Sequence, residues 1–260
     1  SCIFIRFLAN FRLFRYFSAM NMDADVIILG GGPAGMMGAL TAAHRGRRVL
    51  ILEGRERLGG KLPISGGGRC NFANRDCDAT HYVGQNPQFC ASALARWTVQ
   101  DTLNHLNEHK IPYEERDHGR LFLTGPATQM VTMFEALLRQ GLVAVGWKTK
   151  IHSVHFSTKM FHVEHFSGMS RSSALVVATG GIAWPQAGAT GIGYQIAESF
   201  GLPIIPPRPG LVPLRFGPDD QAWLGDLAGV SLTAEVRCGG DRFQSKEGGG
   251  RSAGGGRDTS

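Results

Sequence analysis

Residues 25–35, Asp-Val-Ile-Ile-Leu-Gly-Gly-Gly-Pro-Ala-Gly, constrain this chain more than any other stretch. Val26–Leu29 is a short, continuous apolar run rich in β-branched residues, which suits the central strand of a parallel sheet covered on both faces. Gly30, Gly32 and Gly35 then fall on the spacing G-x-G-x-x-G. In that spacing the first glycine makes a tight turn and the second lets a pyrophosphate approach the backbone. The third lets helix and strand pack closely. Pro33 and Ala34 would open the helix, and a missing N–H at its first position costs little. The free N–H groups of that turn, at the positive end of the helix dipole, favour an anion.

The rest of the unit follows on schedule. Met36, Met37, Leu40 and Ala43 make a helical apolar stripe, Gly46 ends it, and Val49–Leu52 is the next strand. Glu53 closes that strand, where a carboxylate can bind two ribose hydroxyls and would repel a 2′-phosphate. A G-x-G-x-x-G alone is a weak signal. The whole strand–turn–helix–strand–acid unit predicts an adenine dinucleotide site on an α/β, Rossmann-like domain. The alternative is a glycine-rich loop in an ordinary α/β protein.

The formal charge of +6 invites a nucleic-acid reading, but its distribution weakens it. Residues 1–22 carry Arg6, Arg12 and Arg15 and no acid, for +3, and residues 241–260 carry four bases and three acids, for +1. Residues 23–240 hold 20 bases and 18 acids, only +2, so the basicity belongs mainly to the ends. The five cysteines (Cys2, Cys70, Cys77, Cys90, Cys238) form no C-x-x-C. That pattern argues against a disulfide framework or a zinc knuckle and fits a reducing, cytoplasmic setting. No apolar run approaches the ~20 residues that a spanning helix needs.

Residues 1–22 place Phe4, Phe7, Phe11, Phe14 and Phe17 at near-helical spacing, as a targeting presequence or interfacial helix would. Leader sequence upstream of a start at Met20 or Met22 is the preferred reading, because nothing in the domain logic requires the segment. After Glu53, Gly59-Gly60-Lys61 and Ser65-Gly66-Gly67-Gly68-Arg69-Cys70-Asn71 suit a backbone wrapped around a ligand, with donors aimed at its oxygens. A flexible surface loop is the competing account. Helices are expected at Pro87–Trp97, at Gln100–His109 with Thr98 as its cap, and at Ala127–Gln140. Short strands are expected at Tyr113–Asp117 and Arg120–Leu123.

A solvated hairpin is expected at roughly 149–166. Its His152, His155, His162 and His165 sit three apart within each strand and so point to opposite faces. No metal site is expected. Ala174–Thr179 reads as a buried strand, and Thr179-Gly180-Gly181 as a second glycine turn where the chain passes the cofactor again. Gly188–Gly193 leads into a helix ending near Gly201 and is rejected as a second nucleotide fingerprint, since no strand directly precedes it. The divisions expected are 1–22, an extension; 23–201, the dinucleotide-binding domain with an insertion; and 202–240, the start of a β-rich substrate domain. The Gly/Ser/Arg-rich residues 241–260 are expected to be a disordered tail.

Taken together, these motifs resemble the BaiN/YhiN-type FAD-dependent oxidoreductases of the two-dinucleotide-binding-domains flavoprotein superfamily. The resemblance rests on Gly30–Gly35, Glu53, Leu58–Asn74 with its Ser-Gly-Gly-Gly-Arg-Cys-Asn core, Tyr82–Pro87, Gly119–Phe122, Ala178–Gly181, Gly188–Gly193 and Arg208–Leu214. Gly60 and Pro63 depart from the typical loop. The resemblance implies FAD as cofactor, its pyrophosphate at Gly30–Gly35 (Gly30, Gly32, Pro33, Ala34 and Gly35) and its adenosine ribose at Glu53. Lys61 and Ser65–Asn71 (Ser65, Gly66, Gly67, Gly68, Arg69, Asn71) would run beside the isoalloxazine, and Thr179, Gly180 and Gly181 would form the second contact.

The resemblance also implies a reductase of polarised carbon–carbon double bonds, with NAD(P)H as a transient electron donor. The substrate is either an enone of the bile-acid type or a uracil ring of large-subunit ribosomal RNA, reduced to dihydrouridine. Cys70 and Arg69 are its flavin-side candidates, Arg120 and Tyr82 its substrate-side ones. Cys70 reads equally well as a packing cysteine. Family members are longer, so the chain reads as truncated at its C-terminus. The alternative to a reductase is an inactive fragment that holds FAD weakly or not at all.

Overall fold

Strand β1 (Asp23–Leu29) is the middle of the computed structural model, and its alternating side chains explain both layers around it. The structure describes residues 22–82, 84, 86, 88–209, 217–218, 234–238 and 241–245. The phenylalanine-rich extension over residues 1–21, the 246–260 part of the tail, Gly210–Leu214 and Val83, Gln85 and Pro87 lie outside them.

Helix α1 (Pro33–His44) crosses from β1 to β2 (Val49–Leu52), which pairs in parallel with β1, Val26 opposite Val49 and Leu29 opposite Leu52. Ile28, Val49 and Ile51 point to one face, with Met36 and Leu40 of α1 and Met130, Phe134 and Leu138 of α4 (Thr128–Gln140). Ile27, Leu29, Leu50 and Leu52 point to the other, with Val154, Val163 and Ile196. Two buried faces on one strand require an apolar residue at every position, which is why the run is continuous.

The sheet extends from β2 to β6 (Ala144–Gly146) and, on the other side of β1, to β9 (Gly168–Val177), both parallel neighbours. Beyond β9 it becomes antiparallel through β8 (Met160–His165) and β7 (Ile151–Ser157), giving the order β6-β2-β1-β9-β8-β7. The hairpin expected at 149–166 is therefore part of the main sheet. It is not wholly solvated: Val154, Val163 and His165 are buried, because joining the sheet gives one of its faces to the core.

Strand β9 needs a second correction. It overlaps the expected Ala174–Thr179 but starts six residues earlier and ends at Val177, and Ala174, Val176 and Val177 are exposed. Ala174 and Val176 lie opposite Val26 and Ile28, on the face that α1 and α4 cover chiefly over β1, β2 and β6.

Between β2 and α4 lies an insertion. It holds β3 (Asn71–Asn74), α2 (Ala91–Arg96), α3 (Val99–Glu108), β4 (Tyr113–Arg116) and β5 (Arg120–Leu123). The three strands form an antiparallel sheet ordered β3-β5-β4. Helix α2 is shorter than the Pro87–Trp97 expected, and α3 starts at Val99, directly after its expected cap Thr98 and one residue before the Gln100 expected. Thr98 Oγ1 accepts from the Asp101 N–H at 3.2 Å, and Asp101 returns a carboxylate to the Thr98 N–H at 2.7 Å. Helix α5 (Ile192–Ser199) follows the Gly188–Gly193 turn.

Residues 207–260 form a separate unit from residues 1–206. In it β10 (Ala234–Cys238) pairs antiparallel with β11 (Asp241–Ser245). The disorder expected from residue 241 does not begin there: Asp241–Ser245 (Asp-Arg-Phe-Gln-Ser) precedes the glycines of the tail and pairs as a strand. Among the described residues no helix is long and apolar enough to cross a membrane.

Candidate functional site

The site is built where β1 ends. Gly30 takes φ +98°, and a Cβ there would stand 2.6 Å from the Ala178 carbonyl oxygen. The first glycine turn is thus packed against the turn after β9, whose Ala178 N–H donates to the Leu29 carbonyl at 2.8 Å. Gly35 is more crowded still, with a Cβ placed 1.9 Å from the Gly30 carbonyl oxygen. Gly32, the residue before Pro33, is the opposite case. Its φ of −73° suits any residue, and a Cβ there would meet nothing within 4 Å. Neither backbone conformation nor packing within the chain calls for glycine at 32, so what its missing side chain leaves is space for something else.

Glu53 sits directly behind this turn. It is buried, its Oε2 accepts the Gly31 N–H at 2.7 Å, and its Oε1 accepts the Arg55 N–H at 2.9 Å. A carboxylate offers about four acceptor positions, so bracing the turn leaves room for further donors. Two residues that the motif does not name complete this part. A Cβ on Gly31 would overlap Leu58 and touch Glu53. Arg55 stands 3.6 Å from Glu53 and donates to the Ala187 carbonyl at 3.0 Å. The only sequence signals for them were a fourth glycine inside the fingerprint and a base two residues after the acid.

The loop after Glu53 wraps as its glycines require. Leu62–Gly68 forms 3-10 turns, with Gly66, Gly67 and Gly68 at φ +56°, +67° and +86° and Cys70 at +52°. These left-handed positions turn the chain back on itself, so that Pro33 and Ala34 of α1 share one cleft with Lys61, Ser65, Cys70 and Asn71. Lys61 Nζ also donates to the Gly181 carbonyl at 2.9 Å, which joins this loop to the second glycine turn.

The cleft has a volume of about 430 Å³ and, apart from Thr102 and His105, the rest of its wall is apolar, with Met37, Phe72, Trp97, Leu106, Met130 and Phe134. His105 of α3 completes the wall. Its Nε2 is buried without a hydrogen-bond partner, and burial, aided by the neighbouring His109, holds its pKa below the ordinary 6.5. Nothing in sequence order announced Trp97 or His105, which reach the cleft through the folding of the insertion.

The other expected residues are distributed differently. The Cys70 thiol is buried, and burial pushes its pKa up, so it stays protonated. Arg69 points to Glu114, 3.7 Å away, on the small sheet. Arg120 donates to the Asp117 carbonyl at 3.1 Å, and Tyr82 is half exposed; neither lines the cleft. A Cβ on Gly180 would likewise meet nothing within 4 Å, although its φ of +74°, unlike that of Gly32, itself favours glycine.

A family profile described as HI0933-like protein Rossmann domain matches residues 24–259. The ribosomal RNA dihydrouridine synthase of Escherichia coli (strain K12) is 39% identical over 213 residues, covering 82% of this chain and 53% of that protein. The Haemophilus influenzae protein of the same name is 37% identical over 226 residues, 85% of this chain and 56% of its own. A 3-dehydro-bile acid delta(4,6)-reductase of Clostridium scindens is 29% identical over 211 residues, 80% of this chain and 51% of its own. The chain spans about half the length of these curated relatives.

Proposed function

From its membership of the HI0933-like Rossmann-domain family of flavoprotein oxidoreductases, to which this chain belongs, we propose that it carries the FAD site of a cytoplasmic reductase that moves hydride from NAD(P)H to a polarised carbon–carbon double bond. The observation that carries this reading is the empty position beside Gly32, at a helix N-terminus and against a braced acid. A pyrophosphate needs such a gap, and the amides of the first helical turn supply the donors. The second open glycine, Gly180, lies in the turn that Lys61 ties to the same loop.

When bound, FAD would supply the hydride chemistry. The chain's own residues would do the rest. Amides around Gly32–Gly35 would hold the pyrophosphate, and Glu53 would hold the ribose with its remaining acceptor positions. Lys61, Ser65 and Asn71 face the cleft and would orient polar edges of the flavin or substrate. Cys70, whose buried thiol keeps its proton, would be the candidate acid on this wall, and the apolar walls would exclude water.

For the substrate we favour a uracil ring in ribosomal RNA, because the dihydrouridine synthases are the more similar relatives, at 39% and 37% identity against 29%. An enone of the bile-acid type is the second candidate.

An absorbance spectrum of the purified chain, with FAD added and then NADH or NADPH, tests the cofactor reading. Flavin bands that bleach on reduction are expected. A protein that stays colourless with excess FAD would leave the inactive-fragment reading in place for this chain. Binding of large-subunit RNA fragments that weakens steeply with salt would favour the RNA substrate, and salt-insensitive or absent binding would reject it.

A further inference from the structure

We propose that the last turn of α3 binds a divalent transition-metal ion such as zinc through His105, Glu108 and His109. The residues stand as His-x-x-Glu-His, positions i, i+3 and i+4, which share one face of a helix. The helical path holds as far as the third ligand, because the His109 N–H donates to the His105 carbonyl at 3.3 Å. One ligand atom from each side chain lies within 4.8 Å of the others, and His105 Nδ1 is 3.9 Å from Glu108 Oε2.

Ligand atoms around tetrahedral zinc stand roughly 3.3 Å apart, so the group must contract by at most about 1.5 Å. Glu108 and His109 are exposed, so their side chains are free to rotate inward by that amount. Water would complete the coordination. The carbonyls at the end of the helix add a field that favours a cation.

The two nitrogens of His105 divide the labour. Nδ1 faces Glu108, while Nε2 is the buried atom without a partner, on a residue that walls the cleft. Metal on Nδ1 requires the proton to sit on Nε2. The ion would thereby fix His105 as an N–H donor beside the cleft. The hairpin histidines lack this arrangement: His155 and His162 stack with ring centroids 4.9 Å apart and form no such three-residue group with a carboxylate.

The test is competition of the full 260-residue chain with a chromophoric chelator for zinc near neutral pH. One ion per chain at micromolar affinity is expected. His109→Ala and Glu108→Ala should each weaken binding by about tenfold or more, since losing a ligand costs at least as much as losing an outer partner. Both side chains are exposed, so circular dichroism should show folding unchanged in these variants. His155→Ala should leave affinity unaltered. No uptake of zinc by the parent chain, wild-type affinity in His109→Ala, or loss of binding in His155→Ala would each overturn the assignment.

Discussion

Replacing Gly35 and Gly32 by alanine, one at a time, separates the part of the glycine turn that holds the fold from the part that meets a ligand. At position 35 the new Cβ would lie 1.9 Å from the Gly30 carbonyl oxygen, more than 1 Å inside the 3.0 Å limit of real Cβ contacts. The obstacle is backbone, so relief requires α1 to move off β1. Overpacking costs about 1–3 kcal/mol, and a backbone clash belongs at the upper end. About 3 kcal/mol corresponds to a melting temperature lower by roughly 6–12 °C in a chain of this size.

At position 32 the same methyl meets nothing within 4 Å, and φ of −73° suits alanine. Alanine is a poorer helix cap than glycine by some tenths of a kcal/mol, but loss of unfolded-state freedom returns about 0.4–1 kcal/mol. The net change should stay within about 0.5 kcal/mol, or roughly 2 °C. FAD affinity should nevertheless fall by about tenfold or more, the equivalent of ~1.4 kcal/mol, because the methyl fills the approach to the backbone. Thermal melts followed by circular dichroism, paired with quenching of flavin fluorescence, read both effects. Equal melting of the two variants would refute the packing argument. Wild-type FAD binding by a folded Gly32→Ala would refute the cradle.

Two further outcomes are expected. His105 and His165 both titrate below the ordinary 6.5 because burial disfavours imidazolium, with His109 and His152 adding repulsion, respectively. The folded state therefore binds fewer protons than the unfolded one below that pH, and stability is lost as pH falls through the range. Denaturant midpoints should drop between about pH 7 and 5, and His165→Asn should flatten the slope; a midpoint that holds or rises on acidification would contradict this. Cys70 is buried with its thiol pKa raised, whereas Cys77 and Cys90 are partly exposed. Thiol labelling of the native chain should contain a slow phase that Cys70→Ser removes, and fast labelling at Cys70 would show that the cleft wall opens.

What the sequence determined by itself is local and periodic. A continuous apolar run, three glycines at fixed spacing and an acid about 20 residues on define β1, its turn, α1, β2 and Glu53, because each depends on neighbours along the chain. Thr98 was legible as the cap of α3 for the same reason, within one residue of the observed start at Val99. The glycine loop after Glu53 was legible as a wrap around something. Tertiary structure decided what that loop faces. Trp97, just past α2, and His105 of α3 come to the cleft beside Pro33 and Ala34, whereas Arg69 and Arg120 go elsewhere, to Glu114 and the Asp117 carbonyl at the small sheet. The hairpin at 149–166 looked solvated because alternation in one strand cannot show whether a sheet will adopt it; pairing β8 with β9 buried Val163 and His165. Composition likewise suggested disorder from residue 241, yet β11 pairs with a strand only three residues earlier. Side chains that meet only through a fold leave no spacing to read, and the walls of this cleft are of that kind.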